Sequence, residues 1–197
     1  MPRLIFFCGH AGAGKTTLAR QMATALMQRA KALCSGESFC LLDKDTLYGH
    51  YSSAVMGVLT GDPHDRDSPP YLEHLRQPEY QGLLDTMREN LALGISCVVV
   101  APLSRELRAH QLADHDWLGI SKDIPVRIVW VQLQEAEARR RIEARGNPND
   151  AWKLTHWEAY RSRRFEPDPE SYPELLFFDN TAPTPDDLAA LLAQLSA

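Results

Sequence analysis

The chain is poor in cysteine and contains no long apolar run. Its 197 residues include four cysteines, none of which belongs to a C-x-x-C pair or is followed by histidine at zinc-ligand spacing. This pattern excludes a disulfide framework and predicts reduced thiols in a cytoplasmic protein. The apolar runs fall short of the roughly 18 residues of a membrane helix, and "MPRLIFFCG" is too short for the apolar region of a signal peptide. We therefore expect a cytoplasmic protein with no membrane partner.

Basic charge is also scarce. Lysine and arginine number 21 against 26 aspartates and glutamates, which gives a net charge of −5. A mildly acidic chain argues against nucleic-acid binding, because phosphate backbones select basic faces. The seven histidines show no spacing such as H-E-x-x-H, so we interpret none of them as a metal ligand. The composition is ordinary for a globular protein, and the length suits a single domain over residues 1–197.

Short apolar runs alternate with helical stretches along the chain. Strands are predicted at 3–8, 39–42, 95–101, 126–133 and 175–178. Helices are predicted at 16–33, from the second strand to about residue 60, and at 79–93, 105–115, 135–145, 151–164 and 185–195, with a mobile loop at 61–70. Five strand–helix repeats predict a three-layer α/β/α fold with a five-stranded parallel sheet. Ligands bind at the carboxyl ends of the strands in such sheets.

The segment after the first strand, "GHAGAGKT", fits the phosphate-binding pattern G-x-x-x-x-G-K-[ST] at every fixed position. Glycines let the backbone approach an anion, and the backbone N–H groups at a helix N-terminus favour negative charge. Lys15 is expected to reach the β- and γ-phosphates, and the Thr16 hydroxyl suits Mg²⁺. The predicted nucleotide-binding residues are Gly9, His10, Ala11, Gly12, Ala13, Gly14, Lys15, Thr16 and Thr17, the last of them near the α-phosphate.

Two carboxylates, Asp43 and Asp45, end the second apolar run in "LLDKDTL". In an extended segment, residues two apart point to the same side, so both could face the phosphates. One carboxylate could then organise the Mg²⁺ water shell, while the other orients an attacking hydroxyl and accepts its proton. The alternative is a polar turn in which Asp45 caps the following helix.

The phosphate loop, the short strand and the D-x-D-T-L segment together resemble the small P-loop kinases. This group includes shikimate kinase, gluconate kinase, chloramphenicol phosphotransferase and the zeta toxins, and the D-x-D-[ST]-hydrophobic form is most similar to the zeta toxins. The resemblance implies an α/β/α P-loop NTPase fold with a short lid. It also implies an ATP- and Mg²⁺-dependent transfer of the γ-phosphate to a small-molecule hydroxyl, with Asp45 as the base and Asp43 on the Mg²⁺ side. Both aspartates would then belong to the substrate site.

The third predicted strand lacks the acidic residue that many P-loop NTPases place at its end. Its sequence runs "CVVVAPLSRELR", so either Asp43 replaces that acid or Thr16, ATP and water hold Mg²⁺. The absence argues against a motor or AAA+ machine. It is closer to gluconate kinase and adenylylsulfate kinase, and this similarity implies acceptor contacts from Ser104, Arg105 and Arg108. The alternative is a serine cap followed by solvated arginines.

Two arginines, Arg141 and Arg145, lie four apart on one predicted helical face. The resemblance implies that they stand at the base of a lid, about 145–153, and neutralise charge on the transferring phosphoryl group. The alternative is a surface helix with Glu137–Arg141 pairing.

Three aromatic residues follow the lid tip "GNPND", and a polar pair follows the last strand. Trp152, Trp157 and Tyr160 could stack on a base or simply pack a helix. Asn180 and Thr181 occupy the place where these kinases usually hold adenine.

Four functions stay open from the sequence. They are a small-molecule kinase, a zeta-toxin-like nucleotide-sugar kinase, a nucleotide-binding regulatory NTPase without an acceptor, and a polynucleotide 5′-hydroxyl kinase. The acidic net charge argues against the last of these. Acceptor specificity is expected from about 46–93, where no local pattern identifies a substrate, and no pattern indicates the oligomeric state.

Overall fold

A parallel sheet of five strands forms the centre of the computed structural model, which describes residues 1–196. The strands lie in the order β2-β3-β1-β4-β5. Their bounds are β1 (Leu4–Cys8), β2 (Phe39–Asp43), β3 (Ser96–Val100), β4 (Val126–Gln132) and β5 (Leu175–Asp179). All four strand pairs are parallel, which confirms the predicted sheet.

Helices cover both faces of this sheet. They are α1 (Lys15–Ala32), α2 (Lys44–Thr60), α3 (Pro69–His74), α4 (Arg76–Ala92), α5 (Ser104–Arg108), α6 (His115–Leu118), α7 (Glu135–Arg145), α8 (Ala151–Thr155), α9 (Trp157–Ser162) and α10 (Pro185–Ser196). Two short 3₁₀ turns lie at Gln111–Ala113 and Pro148–Asp150. No helix within residues 1–196 combines the length and the apolar character needed to cross a membrane.

The central strand β1 explains why this region of the sequence is apolar at every position. All five of its residues are fully buried, because a parallel strand with helices on both sides has no solvated face. Leu4, Phe6 and Cys8 point to the core under α4, whereas Ile5 and Phe7 point to the core under α1 and α10. The two cores lie on opposite faces of the sheet, as expected for a three-layer α/β/α fold.

Two helices predicted as continuous are interrupted. The predicted helix over 105–115 is wrong, because His110 adopts a left-handed conformation (φ 52°) after α5 and a 3₁₀ turn separates α5 from α6. The predicted helix over 151–164 divides at His156, where φ −118° and ψ 48° leave the helical region. The loop predicted for 61–70 ends sooner, since Pro69 is the first residue of α3.

Candidate active site

The loop between β1 and α1 has the backbone that its glycines predict. Gly9 and Gly14 have φ values of 140° and 83°, in the region that favours glycine. A Cβ atom at Gly9 would collide with the carbonyl oxygen of Val131, and one at Gly14 would collide with the side-chain amide of Asn180. The loop therefore approaches neighbouring groups too closely for any side chain at these two positions.

Lys15 lies at the start of α1, partly buried against its own loop. Its Nζ donates a hydrogen bond to the His10 carbonyl oxygen at 2.8 Å. Burial lowers the pKa of Lys15 to about 8, although the nearby carboxylate of Asp45 acts in the opposite direction. Lys15 therefore loses its proton more readily than an ordinary lysine, and a nearby anion would favour the protonated form.

Asp43 joins the phosphate loop to the start of α2. Its Oδ2 accepts a hydrogen bond from the Thr16 hydroxyl at 2.7 Å, and its Oδ1 accepts bonds from the backbone N–H groups of Asp45 and Thr46 at 2.9 and 3.2 Å. Asp43 is thus the N-cap of α2. The sequence interpretation is corrected in two respects. Asp45 lies in the first helical turn and not in an extended segment, and the capping residue is Asp43.

The oxygen atoms of Thr16 and Asp43 fit a magnesium ion chemically. Mg²⁺ prefers hard oxygen ligands, keeps several waters and binds phosphates together with one or two protein groups. A hydroxyl and a carboxylate that already touch at 2.7 Å supply such a pair. Thr16 and Asp43 would hold the ion, which would neutralise charge on bound phosphates.

Asp45 presents its carboxylate to a cavity. Its side chain is 84% exposed, and its Oδ1 lies 2.8 Å from Lys44 Nζ. The protein walls around the open cavity reduce the hydration of the carboxyl group and so work against its ionisation. Lys44 and, more weakly, Lys15 and Arg145 outweigh that effect and lower the pKa of Asp45. The carboxylate is therefore ionised at neutral pH and able to accept a hydrogen bond.

The cavity measures about 670 Å³, within the range of small-molecule sites. It extends from the phosphate loop to α2, α3 and the segment after α7. Its charged and polar lining includes Lys15, Thr16, Asp43, Asp45, His50, Arg66, Arg76, Arg145 and Lys153. The region 46–93 and the predicted lid 145–153 both contribute to these walls.

The two predicted lid arginines have different surroundings. Arg145 lines the cavity. Arg141 instead donates to Glu137 at 2.6 Å, as the surface-helix alternative predicted, and to the carbonyl oxygens of Asn180 and Thr181 at 3.0 Å each. Arg141 therefore joins α7 to the segment after β5.

Asn180 and Thr181 support the phosphate loop and the start of α7. The Asn180 side-chain amide donates to the Ala13 carbonyl oxygen at 2.7 Å. The Thr181 hydroxyl accepts from the Gln134 N–H at 3.1 Å. Asn180 thus contacts the phosphate loop directly, whereas Thr181 contacts the segment before α7. Their role beside adenine stays a prediction.

The structure does not bring the predicted acceptor residues Ser104, Arg105 and Arg108 to the cavity. The two arginines are exposed, and the Arg108 guanidinium lies 5.1 Å from the centre of the Phe165 ring. Ser104 is not the cap either, because α5 starts from Leu103 in a left-handed conformation. Among the residues that follow β3, Pro102 lines the cavity.

The three aromatic residues after the lid tip play packing roles. Trp157 is buried, and its Nε1 donates to Glu135 at 3.0 Å. The Tyr160 hydroxyl accepts from the Ala11 N–H at 3.2 Å, so Tyr160 supports the phosphate loop from behind. Trp152 stacks on His156, with ring centres 4.8 Å apart. The packing alternative fits all three residues.

The structure contains a buried polar network behind Asp45 that the sequence did not predict. Glu79, 3% exposed, accepts hydrogen bonds from Lys44 at 2.9 Å, from the Tyr71 hydroxyl at 2.8 Å and from Ser52. Burial would lower the pKa of Lys44, but the charge of Asp45 and its other neighbours raise it instead. Lys44 is consequently a fixed cation between two carboxylates. A single glutamate in an amphipathic helix carries no signal of such a role.

The parallel sheet, the phosphate loop and the cavity at the carboxyl ends of its strands define a kinase-like P-loop domain. The family model AAA_33, described as an AAA domain, matches residues 4–167. The chain belongs to this family. The expectation that the chain differs from AAA+ machines stays a prediction, because the family match does not test its mechanism. Among curated proteins, no match is found.

Solved structures share this fold along the whole chain. A provisionally assigned kinase from Chloroflexus aurantiacus J-10-fl is 21% identical, with a TM-score of 0.65 and 99% of this chain and 97% of that chain covered. A sugar kinase from Janibacter sp. HTCC2649 is 20% identical, with a TM-score of 0.60 and coverage of 100% and 95%. Kti12 from Chaetomium thermophilum, in complex with ADP-AlF3, is 16% identical, with a TM-score of 0.64 and coverage of 98% and 97%. At these identities the likeness establishes the fold.

Proposed function

We propose that this protein transfers the γ-phosphate of ATP, with Mg²⁺, to a hydroxyl group of a small molecule in the cytoplasm. Residues 1–197 would act as one domain. The single observation that carries the proposal is Asp45, an ionised carboxylate that faces the same cavity as Lys15 and Arg145. A cavity with a base and two cations can hold both partners of a phosphoryl transfer.

The transfer needs positioning and charge neutralisation more than covalent chemistry. Lys15 and the backbone N–H groups of the phosphate loop would hold the β- and γ-phosphates. Asp45 would orient the acceptor hydroxyl and receive its proton as the oxygen attacks the γ-phosphorus. The new O–P bond forms while the bond between the γ-phosphorus and the bridging oxygen breaks, so that ADP leaves. Arg145 would stabilise the charge that spreads over the transferring group.

The buried network behind Asp45 supports this role for the carboxylate. Lys44 lies 2.8 Å from Asp45 and 2.9 Å from Glu79, so it is anchored from behind while it contacts the base. A carboxylate held by an anchored cation keeps its orientation toward the acceptor, which is the geometric requirement for general-base catalysis. The same contact favours the ionised form of Asp45.

Two alternatives have a specific observation in their favour. The similarity to Kti12 in complex with ADP-AlF3 favours a regulatory NTPase without an acceptor. The D-x-D-T segment favours a nucleotide-sugar kinase of the zeta-toxin type, and the similarity to a sugar kinase fits any kinase of hydroxylated metabolites. The size of the cavity beyond the phosphate loop favours an acceptor over none.

A screen of hydroxyl-bearing metabolites for stimulated ADP release tests the proposal. Asp45→Asn should lower acceptor-dependent ADP release by about 10²- to 10⁴-fold, while the Kd for ATP changes less than about threefold. Lys15→Ala should lose the activity of the protein itself, so any ADP release that it retains measures contaminating enzymes. Asp116→Asn, which changes an exposed carboxylate outside the cavity lining, should behave like the wild type.

Two results would contradict the proposal in different ways. Full activity in Asp45→Asn would show that another group handles the acceptor proton. ATP turnover that no metabolite stimulates would favour the regulatory NTPase.

A further inference from the structure

The loop 61–68, between α2 and α3, touches the lid, and both segments line the cavity. His64 Nδ1 lies 3.0 Å from Asn149 Oδ1, and the Asp67 carboxylate contacts two cations that follow the 3₁₀ turn of the lid. These contacts join parts of the chain more than 80 residues apart. The acceptor side of the cavity and the lid are therefore connected through side chains.

Asp67 is the centre of this connection. Its side chain is 13% exposed, its Oδ1 lies 2.7 Å from Arg163 Nη2, and its Oδ2 lies 3.3 Å from Lys153 Nζ. A carboxylate with this little exposure needs partners for its charge, because solvent does not supply them. Arg163 and Lys153 are those partners.

Lys153 continues the connection to the cavity arginine. Its Nζ lies 3.5 Å from Asp150 Oδ1, and Arg145 donates from Nε and Nη2 to Asp150 Oδ2 at 3.1 and 2.5 Å. Asp150 is 5% exposed on its side chain. Four groups of alternating charge thus run from the loop to the arginine, in the order Asp67, Lys153, Asp150 and Arg145.

The loop is also fixed to the helix that carries Asp45. Arg66 Nη2 donates to Ser53 Oγ at 2.8 Å and to the Gly49 carbonyl oxygen at 3.3 Å, both on α2. Asp65 Oδ1 accepts from the N–H groups of Asp67 and Ser68 at 3.0 and 2.9 Å, which fixes the turn that presents Asp67. One short loop therefore contacts α2 on one side and the lid on the other.

We propose that Asp67 is a positioning residue, which holds Arg145 in place for the phosphoryl group through Lys153 and Asp150. This inference rests on the proposed function. Lys153 is shared between two carboxylates, so the loss of the Asp67 charge shifts Lys153 toward Asp150. Lys153 then competes with Arg145 for Asp150, and the guanidinium loses the partner that orients it. An arginine that is out of place stabilises the γ-phosphate less well.

The test measures nucleotide preference and needs no acceptor. For each variant, the readout is the Kd for Mg–ADP divided by the Kd for Mg–AMP-PNP, because the proposed function assigns Arg145 to the γ-phosphate, which only AMP-PNP carries. Asp67→Asn should reduce this ratio roughly 3- to 10-fold, somewhat less than Arg145→Gln. In the Arg145→Gln background, Asp67→Asn should change the ratio less than about 1.5-fold, since residues that act through one another are not additive.

Two further variants guard against a folding defect and a general loop effect. In the Lys153→Gln background the competing cation is absent, so Asp67→Asn should change the ratio less than about 1.5-fold. Asp62→Asn changes a carboxylate in the same loop that makes no ion pair within residues 1–196, and Asn keeps an oxygen to accept the His64 N–H. This variant should match the wild type.

The inference is overturned if Asp67→Asn leaves the ratio unchanged, or lowers it equally with and without Arg145. A failure of the proposed function looks different. In that case no metabolite is phosphorylated, while the ratio still depends on Asp67 through Arg145.

Discussion

Nucleotide binding should take up protons at mildly alkaline pH, because Lys15 is only partly charged in the free protein. Its pKa is about 8 and its ordinary value is 10.5. An oligophosphate against the ammonium group reverses the effect of burial and returns the pKa toward that ordinary value. Lys15 therefore binds a proton when the nucleotide binds, and affinity falls as the pH rises through about 8.

The size of the effect follows from this pKa. With a pKa of about 8, the unprotonated fraction of Lys15 is about 0.1 at pH 7, about 0.5 at pH 8 and about 0.9 at pH 9. These fractions are the expected proton uptake per nucleotide. The Kd should rise about tenfold between pH 7 and pH 9. The phosphates contribute little in this range, because their second pKa lies near 6.

Isothermal titration calorimetry of Mg–ADP in buffers of different ionisation enthalpy measures this uptake directly. Lys15→Arg provides the matched variant, because a guanidinium stays charged throughout the range and should bind without uptake. Lys122→Ala removes an exposed lysine and should behave like the wild type. Absence of uptake at pH 8 in the wild type, or equal uptake in Lys15→Arg, would refute the assignment to Lys15.

Two predictions concern contacts that support the site. Glu79→Gln leaves Lys44 as a buried cation without its anchoring carboxylate, so the free energy of unfolding should fall by about 3–5 kcal/mol in denaturant titrations. The exposed Glu89→Gln on the same helix should leave it within about 0.5 kcal/mol. Asn180→Ala removes the hydrogen bond to the Ala13 carbonyl oxygen and should weaken Mg–ADP binding roughly 5- to 10-fold. Unchanged calorimetric affinity would show that the phosphate loop keeps its shape without that bond.

The conformation of the phosphate loop could be predicted from the sequence because it is set locally. Residues 9–17 are consecutive, and each fixed position of the motif reflects a backbone or charge requirement met by its immediate neighbours. The strands were predicted within one or two residues of their observed bounds for the same reason. An apolar run buried on both faces leaves a continuous signal.

The geometry around Asp45 could not be predicted, because two local structures compete for the same residues. The interpretation of Asp43 and Asp45 as members of one extended segment required the strand to continue past Asp43. Helix α2 begins instead at Lys44, and Asp43 satisfies its free N–H groups. A capping aspartate and a strand-end aspartate have the same residue type, so only the position of the helix start separates the two interpretations.

The acceptor side of the cavity could not be predicted from the sequence, because it is built by long-range contacts. Its charges are arranged by contacts between distant residues, such as Lys44 with Glu79 across 35 positions and Asp67 with Arg163 across 96. Each of these residues alone resembles an ordinary surface charge. The pair of Lys44 and Glu79 fixes Asp45 from behind. The loop around Asp67 contacts the lid as well as α2. A change at this loop should therefore alter acceptor binding and nucleotide preference together, whereas a change in the phosphate loop should alter nucleotide binding first.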